Sequence, residues 1–115
     1  MSRLALAAAL MLAVVACSTK TLEEECIDLC DRGERCVEEY DQARFDTCAE
    51  GCRAASEEGM AFVADGTITQ ACFDTNTDVL SCFNRLDCLE LQMSLTSTPA
   101  RCRDEFRTRE EVCSE

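Results

Sequence analysis

The chain has 115 residues, of which 11 are cysteines and none is a histidine, and its formal net charge is −12. This length accommodates one small domain at most. The lack of histidine excludes a Ser-His-Asp triad, c-type haem attachment and histidine-containing zinc sites, and the acidic balance argues against a nucleic-acid-binding face.

Residues 1–16 have the features of an export signal. Arg3 is the one charged side chain of this segment, and an uninterrupted apolar run of 12 residues follows it over 4–15. A membrane-spanning helix needs about 20 such residues, so this run has the length of a signal-peptide core instead. Such a segment can be a lipoprotein signal, an ordinary signal peptide that is cleaved nearby, or an uncleaved anchor.

The end of this run resembles a bacterial lipobox: a branched apolar residue, a permissive residue, a small residue and then cysteine, here Val14-Val15-Ala16-Cys17. The resemblance implies removal of residues 1–16 and acylation of the Cys17 sulfur and its new amino group. Cysteine parity agrees, because setting Cys17 aside leaves ten cysteines. By resemblance to lipoproteins of double-membrane bacteria, Ser18 implies transport to the outer membrane. We therefore expect a bacterial cell-envelope protein with a short lipidated tether over 17–21.

Two helices are predicted after the tether. The first covers about 22–40, because Thr21 and Glu24 have the spacing of a capping box and one apolar face continues to Tyr40. The second covers about 43–58, with Gly59 as its expected end. Its expected apolar face consists of residues at helical spacing, namely Phe45, Cys48, Cys52 and Ala55.

Helix geometry favours one pairing for the first four cysteines of the domain. Positions i and i+4 share a helix face, which places Cys26 beside Cys30 and Cys48 beside Cys52. On antiparallel helices these close as two rungs, Cys26–Cys52 and Cys30–Cys48. The twin C-x3-C pattern also resembles that of α-hairpin peptides, which implies an architecture for residues 26–52 but no particular activity.

The second half repeats the cysteine spacing in stretched form. After a connection over 59–76, two further helices are predicted over 77–91 and 99–113, the last with Thr98 and Pro99 at its start. The nested spacing favours Cys72–Cys113 and Cys82–Cys102. One cysteine before the turn of each hairpin is then left, and a Cys36–Cys88 bridge would join the two halves. Ten cysteines allow about 945 pairings, so the sequence favours this set without fixing it.

These patterns predict an all-α fold for residues 22–115. The domain is expected to be small and disulfide-rich, with about four helices in two stapled hairpins over 22–58 and 77–113. Tyrosine and phenylalanine together number six and tryptophan is absent, so the apolar core is expected to be thin. Disulfides, which contribute about 2–4 kcal/mol each, would then supply much of the stability.

Alternative chemistry for the cysteines is less well supported. The two C-x3-C pairs offer four thiolates, as a zinc site requires, but an oxidising compartment favours disulfides. A thiol oxidoreductase uses C-x-x-C near positive charge, whereas this chain has no C-x-x-C and has three glutamates at 23–25. Copper is disfavoured because the segment after Cys17 contains only Met60 and Met93 as thioether ligands. We therefore expect no metal and no cofactor.

The charged pairs also favour a structural interpretation. Paired carboxylates such as Glu57 and Glu58 fall on polar helix faces, and the segment 74–78 lacks the glycine and later glutamate of a calcium loop. No catalytic residue and no small-molecule substrate are therefore predicted. Four arginines interleave with carboxylates in the last helix, where intrahelical pairing is expected and a patch for an anion or a partner is the alternative: Arg101, Arg103, Arg107 and Arg109.

The sequence therefore favours a non-enzymatic, lipid-anchored protein with a structural or protein-interaction role. An inhibitor or ligand-binding module that holds segment 59–71 or turn 92–98 against another protein is the alternative, with exposure of Phe62, Val63 and Ile68 as its sign. A metal-binding or thiol redox protein is the second alternative. The overall pattern also resembles the cysteine-rich small lipoproteins of predatory and soil bacteria, and that resemblance brings no assigned activity.

Overall fold

The computed structural model describes residues 20–114, so the expected signal segment and Cys17 lie outside the described residues. Within 20–114 all regular structure is helical, and no strand occurs. The α-helices are α1 (Leu22–Arg35), α2 (Gln42–Ala64), α3 (Gln70–Phe83), α4 (Cys88–Met93) and α5 (Arg103–Cys113), and a 3₁₀ turn at Ala100–Cys102 precedes α5. The predicted all-α fold is confirmed.

The first hairpin consists of α1 and α2, joined by two adjacent disulfides. Cys26–Cys52 and Cys30–Cys48 have Cα–Cα distances of 5.6 Å and 5.9 Å. The Sγ atoms of Cys30 and Cys52 lie 3.5 Å apart, so the two bridges touch. These pairings run in opposite order along the two helices, which makes α1 and α2 antiparallel, as predicted.

The second hairpin consists of α3 and α5. Cys72–Cys113 and Cys82–Cys102 connect its two ends, with Cα–Cα distances of 4.9 Å and 5.8 Å. Cys36–Cys88 then joins the end of α1 to the start of α4, at a Cα–Cα distance of 5.3 Å. All five pairings that the cysteine spacing favours are therefore present.

The apolar core is small and consists largely of cysteine. Within residues 20–114, five of the eight buried apolar residues are half-cystines, and only Ala49, Val79 and Leu86 are ordinary apolar side chains. The one compact cluster surrounds Leu86, where the Phe83 and Phe106 rings meet edge to face with centroids 5.7 Å apart. The disulfides thus occupy the positions that aliphatic side chains fill in other helical domains.

Polar contacts hold α1 against the end of α3. The Asn84 side-chain amide donates to the backbone carbonyl of Glu25 at 2.8 Å and to its Oε2 at 2.7 Å. The Arg32 guanidinium donates to the backbone carbonyl of Leu86. Glu25 and Arg32 are two turns apart on α1, so one face of this helix contacts α3 through polar groups while the cysteine face contacts α2.

The structure ends α1 earlier than predicted. The helix stops at Arg35 instead of residue 40, because the chain must turn before α2 can return along α1. Asp41 accepts a hydrogen bond from the Arg44 amide and caps α2. Tyr40 lies in the turn and donates to Asp31 at 3.1 Å.

The predicted end of the second helix and the predicted connection are both wrong. Helix α2 continues through Gly59 to Ala64, and the connection spans 65–69 instead of 59–76. Gly59 lies against the Phe73 ring with no room for a Cβ atom, so this glycine permits close packing of α2 on α3. The turn is made by Gly66, whose φ of 83° suits glycine.

The buried face of α2 is also offset from the predicted face. Ala49, Cys52 and Ser56 are buried, whereas Cys48 and Ala55 are exposed. The offset turns this helix toward α3 as well as α1, because residues 52, 56 and 59 follow one another at helical spacing.

The third predicted helix, over 77–91, corresponds to two helices. Residues 74–78 lie within α3, where the Thr75 hydroxyl and the Asn76 amide donate to the Cys72 carbonyl at 2.6 Å and 3.2 Å. The helix ends at Phe83, and α4 starts at Cys88 behind a capping box of Asp87 and Glu90. This break leaves Leu89 exposed.

The start of the last helix is displaced as well. Pro99 has an extended backbone and precedes the 3₁₀ turn, and the α-helix begins only at Arg103. Thr98 is therefore not its N-cap. Cys102 caps α5 without a side-chain hydrogen bond, because its sulfur is engaged with Cys82.

We predict that Gly59→Ala destabilises the oxidised protein by about 1–3 kcal/mol, because the added methyl group overlaps the Phe73 ring. Gly51→Ala in the same helix is the matched control, since its Cβ meets nothing within 4 Å. That variant should gain up to about 1 kcal/mol through helix propensity. Denaturant unfolding measures both, and equal stabilisation by the two variants would contradict the packing of α2 on α3.

Candidate functional site

The described chain starts beside the far end of α2. Lys20, Thr21 and Leu22 line a cleft together with Met60 and Phe73. We call this end of the molecule, formed by residues 20–22 and 60–70, the proximal end, because Cys17 is three residues before Lys20. Cys17 itself lies outside the described residues.

A cleft of about 590 Å³ opens at the proximal end between α2 and α3, over α1. Helix α1 packs along both neighbours, whereas α2 and α3 meet mainly where Gly59 contacts Phe73. The cleft wall carries four carboxylates: Glu23, Glu25, Asp74 and Asp78. Among the described residues Lys20 is the one basic residue on the wall, and Leu22, Met60 and Phe73 supply apolar surface. We refer to this cleft as the acidic cleft.

Two buried polar residues line the acidic cleft. Glu25 is 8% exposed, and its Oε2 accepts the hydrogen bond from Asn84. Ser56 is 7% exposed. The Lys20 ammonium pairs with Asp28 at 2.7 Å, and this hydrogen bond raises the pKa of Lys20. Lys20 is thus already engaged in an ion pair.

The apolar segment 59–71 contributes to a second, smaller depression of about 400 Å³. Phe62 is 38% exposed, and Val63 and Ile68 are half-buried. Leu22 and Phe73 separate this depression from the acidic cleft, because both residues line both hollows. The segment therefore partly covers the core and partly reaches the surface. The sequence left both possibilities open, a core-covering segment and an exposed contact segment, and the structure lies between them.

Three large apolar side chains are exposed at the opposite end of the molecule. Leu89, Met93 and Leu95 are 65%, 59% and 86% exposed, the highest values among large apolar residues of the described chain. We call them the distal tip. The Cys36–Cys88 bridge places this tip at the carboxyl end of α1, and Met93 and Leu95 belong to the predicted contact turn 92–98.

The sulfur atoms of Cys26, Cys30 and Cys52 lie within 4.8 Å of one another, the arrangement nearest to a metal-ligand set among residues 20–114. These atoms belong to two disulfides, and all ten cysteines in that range are paired. A disulfide sulfur carries no thiolate for a metal or for thiol exchange. The metal-binding and thiol redox alternatives therefore require reduction of these bonds.

The arginines of the last helical segment are only partly paired within it. Arg107 contacts Asp104 at 3.7 Å, the intrahelical spacing that the sequence predicts. Arg101 instead reaches Glu90 of α4 at 2.9 Å, and Arg109 lies over the Phe106 ring at 5.3 Å. Arg101 therefore connects the 3₁₀ turn before α5 to α4, whereas the Arg109 contact stays within α5.

Two carboxyl groups, those of Asp31 and Asp65, have lowered pKa values. The hydrogen bond from Arg35 lowers the pKa of Asp31, and the hydrogen bond from the Thr67 hydroxyl lowers the pKa of Asp65. Burial raises the pKa of Tyr40, whose hydroxyl also donates to Asp31. A general acid at neutral pH needs a raised carboxyl pKa, so Asp31 and Asp65 are poorly suited to that role.

Among residues 20–114 no helix combines the length and the apolar character that crossing a membrane demands. No family model matches the chain, and no curated protein and no solved structure matches it.

Proposed function

We propose that this protein is a non-enzymatic, lipid-anchored module of the bacterial cell envelope that binds another protein through its distal tip. Cys17 holds it to the membrane, and Ser18 directs it to the outer membrane. The observation that carries the proposal is the exposure of Leu89, Met93 and Leu95 on a disulfide-stapled end of the domain. Clustered apolar side chains at a surface are typical of protein-interaction sites.

The position of the tip supports this role. Helix α1 has 14 residues and so spans about 21 Å from Leu22 to the Cys36–Cys88 bridge. Cys17 precedes this helix by five residues along the chain, whereas the tip lies at the other end of the helix. An anchored domain can therefore present the tip away from the lipid surface.

Charge favours the same orientation. Removal of residues 1–16 takes away Arg3, which leaves 10 basic and 23 acidic residues and a net charge of 10 − 23 = −13. Residues 84–103 are an exception, since they carry three arginines and two carboxylates, or +1. The acidic remainder is repelled by anionic lipid headgroups, so the lipid would hold the domain at the membrane while the tip region escapes that repulsion.

The anchor is tested by the intact mass of the protein purified from membranes, alkylated with and without prior reduction. We expect a chain that begins at an acylated Cys17, with no alkylation before reduction and ten added groups after it. Cys17→Ser should release the protein from the membrane fraction. A mature protein without lipid would contradict the anchor, and two or four reactive thiols before reduction would favour metal or redox chemistry.

The distal tip is tested by photo-crosslinking in cells of the source bacterium. We expect a photoreactive residue in place of Leu95 to form one discrete adduct with an envelope protein that has an apolar surface. The same residue in place of Glu50, exposed on α2, serves as the control and should form none. Leu89→Ser should weaken the adduct several-fold, because this exposed side chain adds contact area without supporting the fold. Equal labelling from both positions would contradict the proposal.

A further inference from the structure

We propose that the last turn of α2, together with the turn that follows it, rests in the lipid surface and sets the orientation of the domain on the membrane. We call residues 60–64 and Ile68 the apolar cap. The inference rests on the proposed lipid anchor at Cys17 and extends it, because it assigns a contact between the folded domain and the lipid. It does not depend on the distal tip.

The apolar cap has no polar side within its helix. Residues 60–64 are Met-Ala-Phe-Val-Ala, whereas residues 42–59 of the same helix carry six charged side chains. Five consecutive helical residues point in all directions, because one turn takes about 3.6 residues. A helix that is apolar all round is normally covered on every side. Here Met60 is 54% exposed, Phe62 is 38% exposed, and both alanines are exposed. The described chain therefore leaves much of the cap uncovered.

The position of the anchor selects the lipid surface as the partner of this cap. An acylated Cys17 is three residues from Lys20, and three extended residues reach about 11 Å at most. Lys20 and Met60 line the same cleft at the proximal end. So short a connection keeps the proximal end beside the lipid headgroups, where exposed apolar side chains can enter the lipid.

The backbone of the cap suits an apolar environment. The last carbonyl groups of a helix have no partner within the helix, and an unpaired carbonyl is costly in lipid. The carbonyls of residues 61–63 instead accept hydrogen bonds from the amides of residues 65–67, with distances from 2.9 to 3.2 Å. These groups therefore lose little when lipid replaces water around the turn.

Asp65 limits how deeply the cap can enter. It is the one charged residue in the sequence from 59 to 71. Its carboxylate accepts hydrogen bonds from the amide and the hydroxyl of Thr67, which lower its pKa, so Asp65 is ionised at neutral pH. An ionised carboxylate is strongly unfavourable in the hydrocarbon core. We therefore expect a shallow contact at the level of the headgroups and the upper acyl chains, like that of interfacial helices.

The cap fixes an orientation that a lipid tether alone leaves free. The acyl chains hold the start of α1, and the cap ends α2, which runs antiparallel to α1. Both attachments are thus at the proximal end. Tyr40 lies in the turn beyond the far end of α1, so it is expected to remain clear of the lipid.

The test uses tryptophan fluorescence, because the chain contains no tryptophan. Full-length Phe62→Trp is purified in its acylated, oxidised form and reconstituted into vesicles of zwitterionic phosphatidylcholine with brominated acyl chains. Tyr40→Trp is the matched control, since Tyr40 is also aromatic and is 41% exposed against 38% for Phe62. We expect bromine to quench the tryptophan at position 62 several-fold more than the one at position 40. Bromine near the headgroups should quench more than bromine at the bilayer centre.

Intact mass and sedimentation with the vesicles separate failure of the contact from failure of the anchor. Acylated, vesicle-bound protein with no quenching at position 62, or with equal quenching at both positions, would overturn the contact and leave the anchor in place. Protein that carries no acyl chain and stays in solution would overturn both. If circular dichroism shows that Phe62→Trp does not fold, Met60→Trp at the more exposed position replaces it, with the same expected result.

Discussion

The disulfide ladder is the constraint on which the rest of this structure depends. Sulfur occupies most of the buried apolar positions, and Ala49, Val79 and Leu86 alone cannot bury enough surface to stabilise a domain of this length. The touching bridges Cys26–Cys52 and Cys30–Cys48 fix how α1 lies on α2. The disulfides also hold the helices together against the electrostatic repulsion between the many acidic residues. A thin apolar core alone would resist that repulsion poorly.

Because the helices are fixed by covalent bonds, their remaining surfaces are free to carry polar and apolar groups that a conventional core would not allow. Helix α1 contacts α3 through Glu25 and Arg32, which leaves a buried carboxylate at the acidic cleft. At the other end, Cys36–Cys88 holds α4 in place although Leu89 and Met93 face solvent. The proposed protein-binding tip is therefore a consequence of this scaffold.

Cysteine spacing and helix periodicity predicted the fold class and favoured the five disulfides that the structure contains, without excluding other pairings. The i and i+4 positions on antiparallel helices account for Cys26–Cys52 and Cys30–Cys48, whereas the other three pairings rested on nested spacing alone. Helix ends were less predictable. Gly59 looked like a helix stop because its packing against Phe73 depends on tertiary contact, whereas the capping box of Asp87 and Glu90 was readable and would have located α4. Burial of Glu25 could not be predicted, since its partner Asn84 is 59 residues away.

The central claim, that the disulfides and not the apolar core stabilise this fold, is tested most directly by far-ultraviolet circular dichroism during thermal unfolding, with and without reduction. Loss of a native disulfide from a small exported domain costs about 2–5 kcal/mol, and a whole domain is stable by only about 5–15 kcal/mol. The account therefore predicts that reduction at 25 °C removes the cooperative transition and most of the helical signal. A reduced protein that keeps its helical signal and unfolds cooperatively near the original temperature would contradict it.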